Sequence, residues 1–473
     1  MPGGRRRARG NARPRVLIIV QNLPVPLDRR VWLECQALRD AGYGVSVICP
    51  KGPDDPSYHE IGGVHLYKYH PPPEARGPLG FAVEFGYCLL RVLLISLRVR
   101  RRHGFDVIQA CNPPDTYWAL AALYRPFGVR FVYDQHDLNP EVFMSRFGDP
   151  TGGVQKLQFR TLLWLERMTY RLAHRVISTN ESYRQVALTR GAKASDDVTV
   201  VRSGPDTSRM RPLVLLPALR RGKEHLICYL GIMGPQDGVD VALRALAVLV
   251  HDMGRRDIRL ALLGFGDCFE ELRQLAHELA LHEYVTFTGR ADARMISEYL
   301  SSSDIGVSPD PLNPLNDVST MNKTMEYMAY ALPVVAFDLK ETRVSAESAA
   351  VYVEPGDIEG FAKAIAELLD DPERRAAMAA AVRARAAAVL DWEPQKRAYV
   401  SVYDKLFGIE RPQAAAPTWP EVDRRTDAAK GPLLDSWGNP LLDLRGARDV
   451  RQYLRPQPSA PEVESELAEQ RDS

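Results

Sequence analysis

Between residues 15 and 203, short apolar runs alternate with longer segments whose apolar residues recur at helical spacing. RVLIIVQ, VSVICP, DVIQAC, RFVYDQH, RVISTN and VTVVRS read as strands. In RRVWLECQALRDAG, Val31, Cys35 and Leu38 share one helical face and Gly42 ends the helix. Continuous apolar strands joined by helices predict a parallel sheet covered on both sides. PDTSRMRPLVLLPALRRGKE breaks this rhythm. It resumes near residue 225 with HLICYLGI, IRLALLGFG, YVTFTG, DIGVSPD, PVVAFD and AAVYVEP. The pattern predicts an α/β chain of two tandem Rossmann-like, doubly wound domains facing a cleft. Ligands are expected at the carboxyl ends of the strands.

The predicted divisions are a basic tail over 1–15, a first domain over 16–207 and a linker over 208–222. A second domain over 223–390 and a final helix over 391–408, crossing back to the first domain, complete the folded part. From 409 to 473 the chain is Pro-rich, charged and without period, which predicts disorder. The segment GFAVEFGYCLLRVLLISLRVRRRHG, residues 80–104, is rich in apolar residues and ends in four Arg among five residues. Glu84 and Arg91 exclude a simple span. Two readings stay open: a core helix, or an interfacial helix with its basic end at the level of lipid headgroups.

Composition narrows the function classes. The 473 residues are 45% hydrophobic and 26% charged, as in ordinary soluble domains. A net charge of +1 excludes the whole molecule as a nucleic-acid or other polyanion binder. Basic charge is local: MPGGRRRARGNARPR holds six Arg in fifteen residues. With no apolar run before VLIIV it does not read as a secretory signal. It reads either as a disordered tail or as a contact for anionic lipid. The six Cys are scattered without a Cys-x-x-Cys pair, which argues against a disulfide framework or zinc site and suits a reducing cytoplasm.

Small residues follow the second-domain strands. YLGIMGPQDGVD places Gly231, Gly234 and Gly238 between strand and helix, and LLGFGD places Gly264 and Gly266 likewise. Such glycines admit a phosphate close to the backbone, or let two turns pack closely. SPDPLNPLNDVSTMNK is long and polar, and delivers Ser319 and Thr320 to a predicted helix start, where they can cap it or hold a phosphate oxygen. Lys323 follows in the first turns, where a cation opposes the helix dipole at a cost of about 0.5 kcal/mol. Glu326 lies one turn on, and a carboxylate can accept two hydrogen bonds from a ribose. The alternative is an exposed i, i+3 ion pair worth about 0.2–0.5 kcal/mol.

EYMAYALPVVAFD resembles the helix-to-strand signature E-A-M-A-x-G-x-P-V-V-A of glycosyltransferase family 4, whose members are retaining enzymes of the GT-B fold. SxxNKxxEYMA, with Ser319, Asn322, Lys323 and Glu326, is similar to a branch in which Ser, Asn and Lys replace the usual Glu-Gly-Phe-Gly loop. FDVIQACNPPD, VYDQHDLNPE, VISTNES, VVRSGPD, LLGFGD, VTFTGR and VEPGD fall in the family's order, so the resemblance spans roughly residues 15–408.

The resemblance implies that Glu326 binds the donor ribose, that the Ser319–Lys323 turn holds the diphosphate, and that His136 faces the sugar from the first domain. Asp134 and Asp137 flank His136 and can orient it; by itself His136 also reads as a core histidine. The family's first acid falls on Val318, with Asp317 adjacent as a substitute. Its usual phosphate cations fall on Ile232 and Asp237, leaving the load to Lys323 with Arg202 or Arg290. Asp28, Arg29, Asn112 and Asp137 are expected on the acceptor side.

The implied function is metal-independent transfer of a sugar from a nucleotide-diphosphate sugar, which is a substrate and not a cofactor, to a hydroxyl acceptor. That would serve synthesis of cell-surface glycan, exopolysaccharide or glycolipid. The chain contains no Asp-x-Asp, the metal-diphosphate motif of the other main transferase fold. Expected partners are the donor, a glycan or lipid-linked acceptor and an anionic membrane surface. The expected location is cytoplasmic, peripheral on the inner face of the plasma membrane. A nucleotide-sugar 2-epimerase and a non-catalytic scaffold of the same architecture are the alternatives.

Overall fold

The computed structural model describes residues 13–411 except 53–54 and 73–76, together with 433–434 and 440–442. Two large sheets form, one in each predicted domain, parallel throughout except for one antiparallel pair at the edge of the first. In the first, β1 (Arg15–Ile19), β2 (Gly44–Pro50), β3 (Tyr58–Ile61), β4 (Val64–Tyr69) and β5 (Val107–Cys111) are followed by β6 (Arg130–Gln135), β7 (Arg175–Ser178) and β8 (Val198–Val200). They lie in the order β3-β4-β2-β1-β5-β6-β7-β8. The order reverses at β1, where Ile18 pairs with Val47 on one side and Gln109 on the other.

The second sheet holds β9 (His225–Leu230), β10 (Ile258–Leu263), β11 (Val285–Gly289), β12 (Ile305–Ser308), β13 (Val334–Phe337) and β14 (Ala350–Val353). Their order, β11-β10-β9-β12-β13-β14, puts the reversal between β9 and β12, the place where such sheets bind ligands.

The helix Arg29–Asp40 shows why the pattern was readable. Asp28 accepts from Val31 N, Val31, Cys35 and Leu38 are buried, and Gly42 (φ +86°) turns the chain back. The hairpin β3–β4 was missed, because YHEI is mostly exposed and lacks an apolar run; it extends the sheet at its edge. The helix expected over 80–104 spans Gly77–Arg102. The expected linker is not a free tether. Leu213 N and Leu216 N donate to the hydroxyls of Ser301 and Ser302, and Arg220 pairs with Asp304 at 3.1 Å.

The chain crosses between domains twice, and the crossings touch. Trp392 N donates to Pro205 O at 3.0 Å, and Asp391 accepts from Thr207 N. A Cβ on Gly204 would overlap the Leu390 carbonyl, so only glycine fits there. The helix Trp392–Phe407 then packs into the first-domain core with Tyr399 and Tyr403 fully buried. Each such aromatic contributes about 2 kcal/mol of burial. Of the stretch expected to be disordered, Ile409 and Arg411 bond back to Asp404, and Leu433–Leu434 pairs with Pro440–Leu442. Residues 1–12 of the basic tail and the remainder beyond 411 lie outside the described residues.

Candidate active site

The floor of the cleft is built from the loops after β9, β10 and β12. Gly264 (φ +149°) lies so close to the β9 loop that a Cβ would overlap the Gly231 carbonyl, and one on Gly266 would sit 2.6 Å from Met233 O. A Cβ on Gly238 (φ +66°) would overlap Pro309 O. The structure thus uses these glycines to pack turn on turn. Gly231 and Gly234 line the same loop, whose Ile232 carbonyl accepts from Tyr229 Oη at 2.7 Å. The long polar segment after β12 folds on itself: Asn313 accepts from Leu315 N and Asn316 N, and Asn316 reaches Gln236 O at 2.8 Å.

Lys323 is buried beneath this loop. Its Nζ lies 2.5 Å from Asp310 Oδ1, 3.8 Å from Asp237 Oδ1 and 5.0 Å from the centre of the Tyr229 ring. Asp310 is held in turn by Ser308 Oγ at 2.6 Å. Burial pushes the Asp237 carboxyl up, with Lys323 opposing. The resemblance put Lys323 at the diphosphate and Glu326 at the ribose of one donor. Lys323 instead turns inward to two acids, and Glu326 turns across the cleft, where its Oε1 lies 2.7 Å from Arg29 Nη1.

Ser319 and Thr320 do not cap the helix, which runs Asn322–Ala329 behind Met321 with no side-chain cap; Asn322 is exposed. They face the first domain instead. Tyr183 Oη meets Ser319 Oγ at 2.9 Å, and Asn180 Nδ2 donates to Thr320 Oγ1 at 3.0 Å and Val318 O at 2.9 Å. Asp317 accepts from Lys340 N at the start of the next helix. Arg290 is exposed and stacks on Phe265 at 4.8 Å. Arg202 lies 3.8 Å from Glu341, whose other oxygen accepts from Ser182. Ser319, Thr320 and Arg202 thus brace the two domains against each other, while Asp317 and Arg290 have their partners within the second domain.

The first-domain wall centres on His136. Its backbone N donates to Asn112 Oδ1 at 2.7 Å, Asp137 N donates to the same oxygen, and Asn112 Nδ2 returns a bond to Asp137 O. Asn112 is thus a clamp on the turn after β6. Burial pushes the Asp137 carboxyl up, against His136 and Arg146. His136 Nε2 lies 2.9 Å from Asp134 Oδ2 and 3.1 Å from Arg30 Nε. Asp28, expected at the acceptor, caps its helix.

Arg30, which sequence reasoning passed over, ties this wall together. It contacts Asp134 and Glu34 at 3.1 and 3.0 Å and donates to Ser203 Oγ. Gln109 Nε2 donates to both Glu34 and Asp134 at 2.8 Å, while Tyr399 and Tyr403 of the returning helix donate to Gln109 Oε1. Burial and the Asp134 charge hold the Glu34 carboxyl well above its usual range. Burial would raise Asp134 too, but His136 and Arg30 outweigh it and hold that carboxyl well below. Glu34, Cys111, Asp134 and His136 present ligand atoms within 4.8 Å of one another; Arg30 packs against three of them and balances their charge. The legible signal for Arg30 was the Arg-Arg doublet with Glu34 at i+4. Asp310 and Asn180 offered none beyond standing at strand ends.

The chain resembles known proteins in sequence and fold. A model described as Glycosyltransferase Family 4 matches residues 27–209, and one described as Glycosyl transferases group 1 matches residues 224–371. The chain is 25% identical over 411 residues to a glycogen synthase of Mycobacterium tuberculosis, covering 83% of this chain and 94% of that one. It is 32% identical over 164 residues to a GDP-mannose-dependent monoacylated alpha-(1-6)-phosphatidylinositol monomannoside mannosyltransferase of Corynebacterium glutamicum, covering 34% and 42%. Sucrose-phosphate synthase from Thermosynechococcus elongatus superposes with a TM-score of 0.68 at 21% identity, over 84% of this chain and 100% of that one. Anabaena HepE in complex with UDP-glucose superposes with a TM-score of 0.60 at 17% identity, over 83% and 99%.

Proposed function

We propose that this chain, whose two domains match the Glycosyltransferase Family 4 and Glycosyl transferases group 1 models and whose fold is GT-B, moves a sugar from a nucleotide-diphosphate sugar to a hydroxyl acceptor with retention at the anomeric carbon. The observation that carries this reading is the meeting of the two cleft walls at consecutive arginines. Arg29 reaches Glu326 on the second domain, while Arg30 reaches His136 on the first. Glu326 and His136 are thus each tied to the start of the same first-domain helix, and the proposed donor lies between them.

In that space the ribose hydroxyls displace Arg29 and bond to the Glu326 carboxylate. The diphosphate lies over the uncapped N-terminus of the helix Asn322–Ala329, whose backbone N–H groups and dipole favour an anion. Lys323 acts from below: bonded to Asp310, it holds the β9 and β12 loops together under the phosphate. As the bond to the diphosphate breaks, positive charge grows on the sugar and negative charge on the leaving phosphate. His136, kept in place by Asn112 and Asp134, bounds the sugar opposite the phosphate.

The named relatives include a glycogen synthase and a GDP-mannose-dependent transferase to a phosphatidylinositol mannoside, and a structural neighbour holds UDP-glucose. These set the probes. Calorimetry with UDP-, ADP- and GDP-sugars should find one nucleotide that binds, and NMR of the product should show the donor's anomeric configuration. Failure of every nucleotide to bind would sink the proposal. One observation favours a scaffold without turnover, namely that two acids already engage Lys323. Nucleotide binding without transfer to any acceptor would select it.

A further inference from the structure

We propose that the helical layer over one face of the first sheet docks on an anionic lipid bilayer, with its apolar stripes entering the interface and its arginines meeting the headgroups. Three helices form the layer: Gly77–Arg102, Trp118–Tyr124 and Gly153–Leu172. Their inner sides share one core with β1, β5 and β6, through Val92, Ile95, Val99, Leu120 and Tyr170. Their outer sides carry apolar stripes beside arginines, where the outer face of a water-exposed layer would be polar throughout.

On the first helix Val83, Leu90, Leu94 and Leu97 are 41–61% exposed. At 3.6 residues per turn they fall within about 60° of one another, and Arg101 continues the same line. Arg98 and Arg102 flank that end and are exposed. Leu123 on the second helix and Phe127 just after it are exposed, and Arg100 lays its guanidinium 5.8 Å from the Phe127 ring. On the third helix Val154, Leu157 and Trp164 are 51–67% exposed. They lie within about 80° of one another, with Arg160, Arg167 and Arg171 along one margin. Trp164 stands edge-on to Trp118 at 5.6 Å, and tryptophan is enriched at membrane–water interfaces.

The charge pattern selects the occupant. The acids of these three helices are Glu84, which accepts from Gln21, and Glu166, which is buried against Arg190. Neither repels an anionic surface, while the arginines attract one. Arg15 bonds to His103 O and Asp106, so the run that carries six Arg in fifteen residues joins the fold beside the Arg98–Arg102 end. Each such charge strengthens attachment to an anionic leaflet. Among the described residues no helix is long and apolar enough to cross a membrane, so the layer lies on the surface.

The full chain should co-sediment with phosphatidylcholine vesicles containing phosphatidylglycerol and much less with phosphatidylcholine alone. Leu90→Ser/Leu94→Ser/Leu97→Ser, whose side chains are solvent-facing, should keep the thermal transition and lower partitioning about tenfold. Arg98→Glu/Arg101→Glu/Arg102→Glu should lower it at least as much and flatten its salt dependence. Absence of partitioning at low salt would overturn the proposal. So would unchanged partitioning of the leucine variant, which would leave only diffuse attraction by the basic tail. A concentration-dependent dimer that the leucine variant abolishes, with no vesicle binding, would assign the face to a second copy of the chain instead.

Discussion

Arg29 of the first domain and Glu326 of the second form a half-buried ion pair, Nη1 to Oε1 at 2.7 Å, that closes the cleft where a donor ribose is proposed to bind. A pair this exposed is worth about 0–1 kcal/mol. Removing Arg29 frees the carboxylate, so Arg29→Ala should bind nucleotide about two- to fivefold tighter. Glu326→Gln should bind it about tenfold more weakly, having lost a charged acceptor. Calorimetric titration of both variants checks the pair. If Arg29→Ala weakens nucleotide binding instead, Arg29 touches the ligand and is not a latch.

Lys323 is expected to be essential twice over. Its substitution by Ala leaves the buried Asp310 and the largely buried Asp237 without their cation. Breaking a buried pair in this way costs about 3–5 kcal/mol. Lys323→Ala alone should therefore lose both stability and transfer. Lys323→Met combined with Asp310→Asn should recover most of the stability and none of the transfer. Urea unfolding with an activity assay separates the two, and full activity in the double variant would remove Lys323 from the reaction.

Gly264 discriminates packing from ligand approach. A Cβ there overlaps the Gly231 carbonyl, and the backbone sits at φ +149°. Gly264→Ala should destabilise the second domain by ~3 kcal/mol without any ligand present. A variant of normal stability that has lost only nucleotide affinity would show that the glycine serves the ligand.

The central strands of the second domain were legible because they are short apolar runs buried on both faces, as in His225–Leu230 and Ile258–Leu263. The edge strand Tyr58–Ile61 was not, since exposure removes that signal. The positions of Lys323, Glu326 and His136 could be read from motif order, and so could Asp134 beside His136, but the partners of Lys323 and Glu326 could not. Asp310, Arg29 and Asn180 reach those residues or their loop only after the chain folds across 13 to more than 100 positions. Local rules even misled at Ser319 and Thr320: both suit a helix cap, and tertiary hydrogen bonds to Tyr183 and Asn180 took them away.

The last prediction concerns pH. The Glu34 carboxyl is held well above its usual range by burial and by Asp134, so the native state keeps a proton that the unfolded chain releases near pH 4.3. Above that pH the native state binds more protons than the unfolded one. The slope of unfolding free energy against pH is then negative, and stability falls as pH rises toward the native value. Asp134 works oppositely: its lowered carboxyl adds stability that is present above about pH 3.9 and lost only as pH falls below it. The two effects therefore occupy different windows. Glu34→Gln mimics the protonated acid, since the amide can accept from Gln109 and donate to Asp134 in the same places. Urea unfolding from pH 5 to 8 should show wild type losing stability relative to Glu34→Gln, with the gap widening as pH rises. A gap that stays constant across that range would mean that Glu34 is ionised in the native state, with Arg30 as its counter-charge.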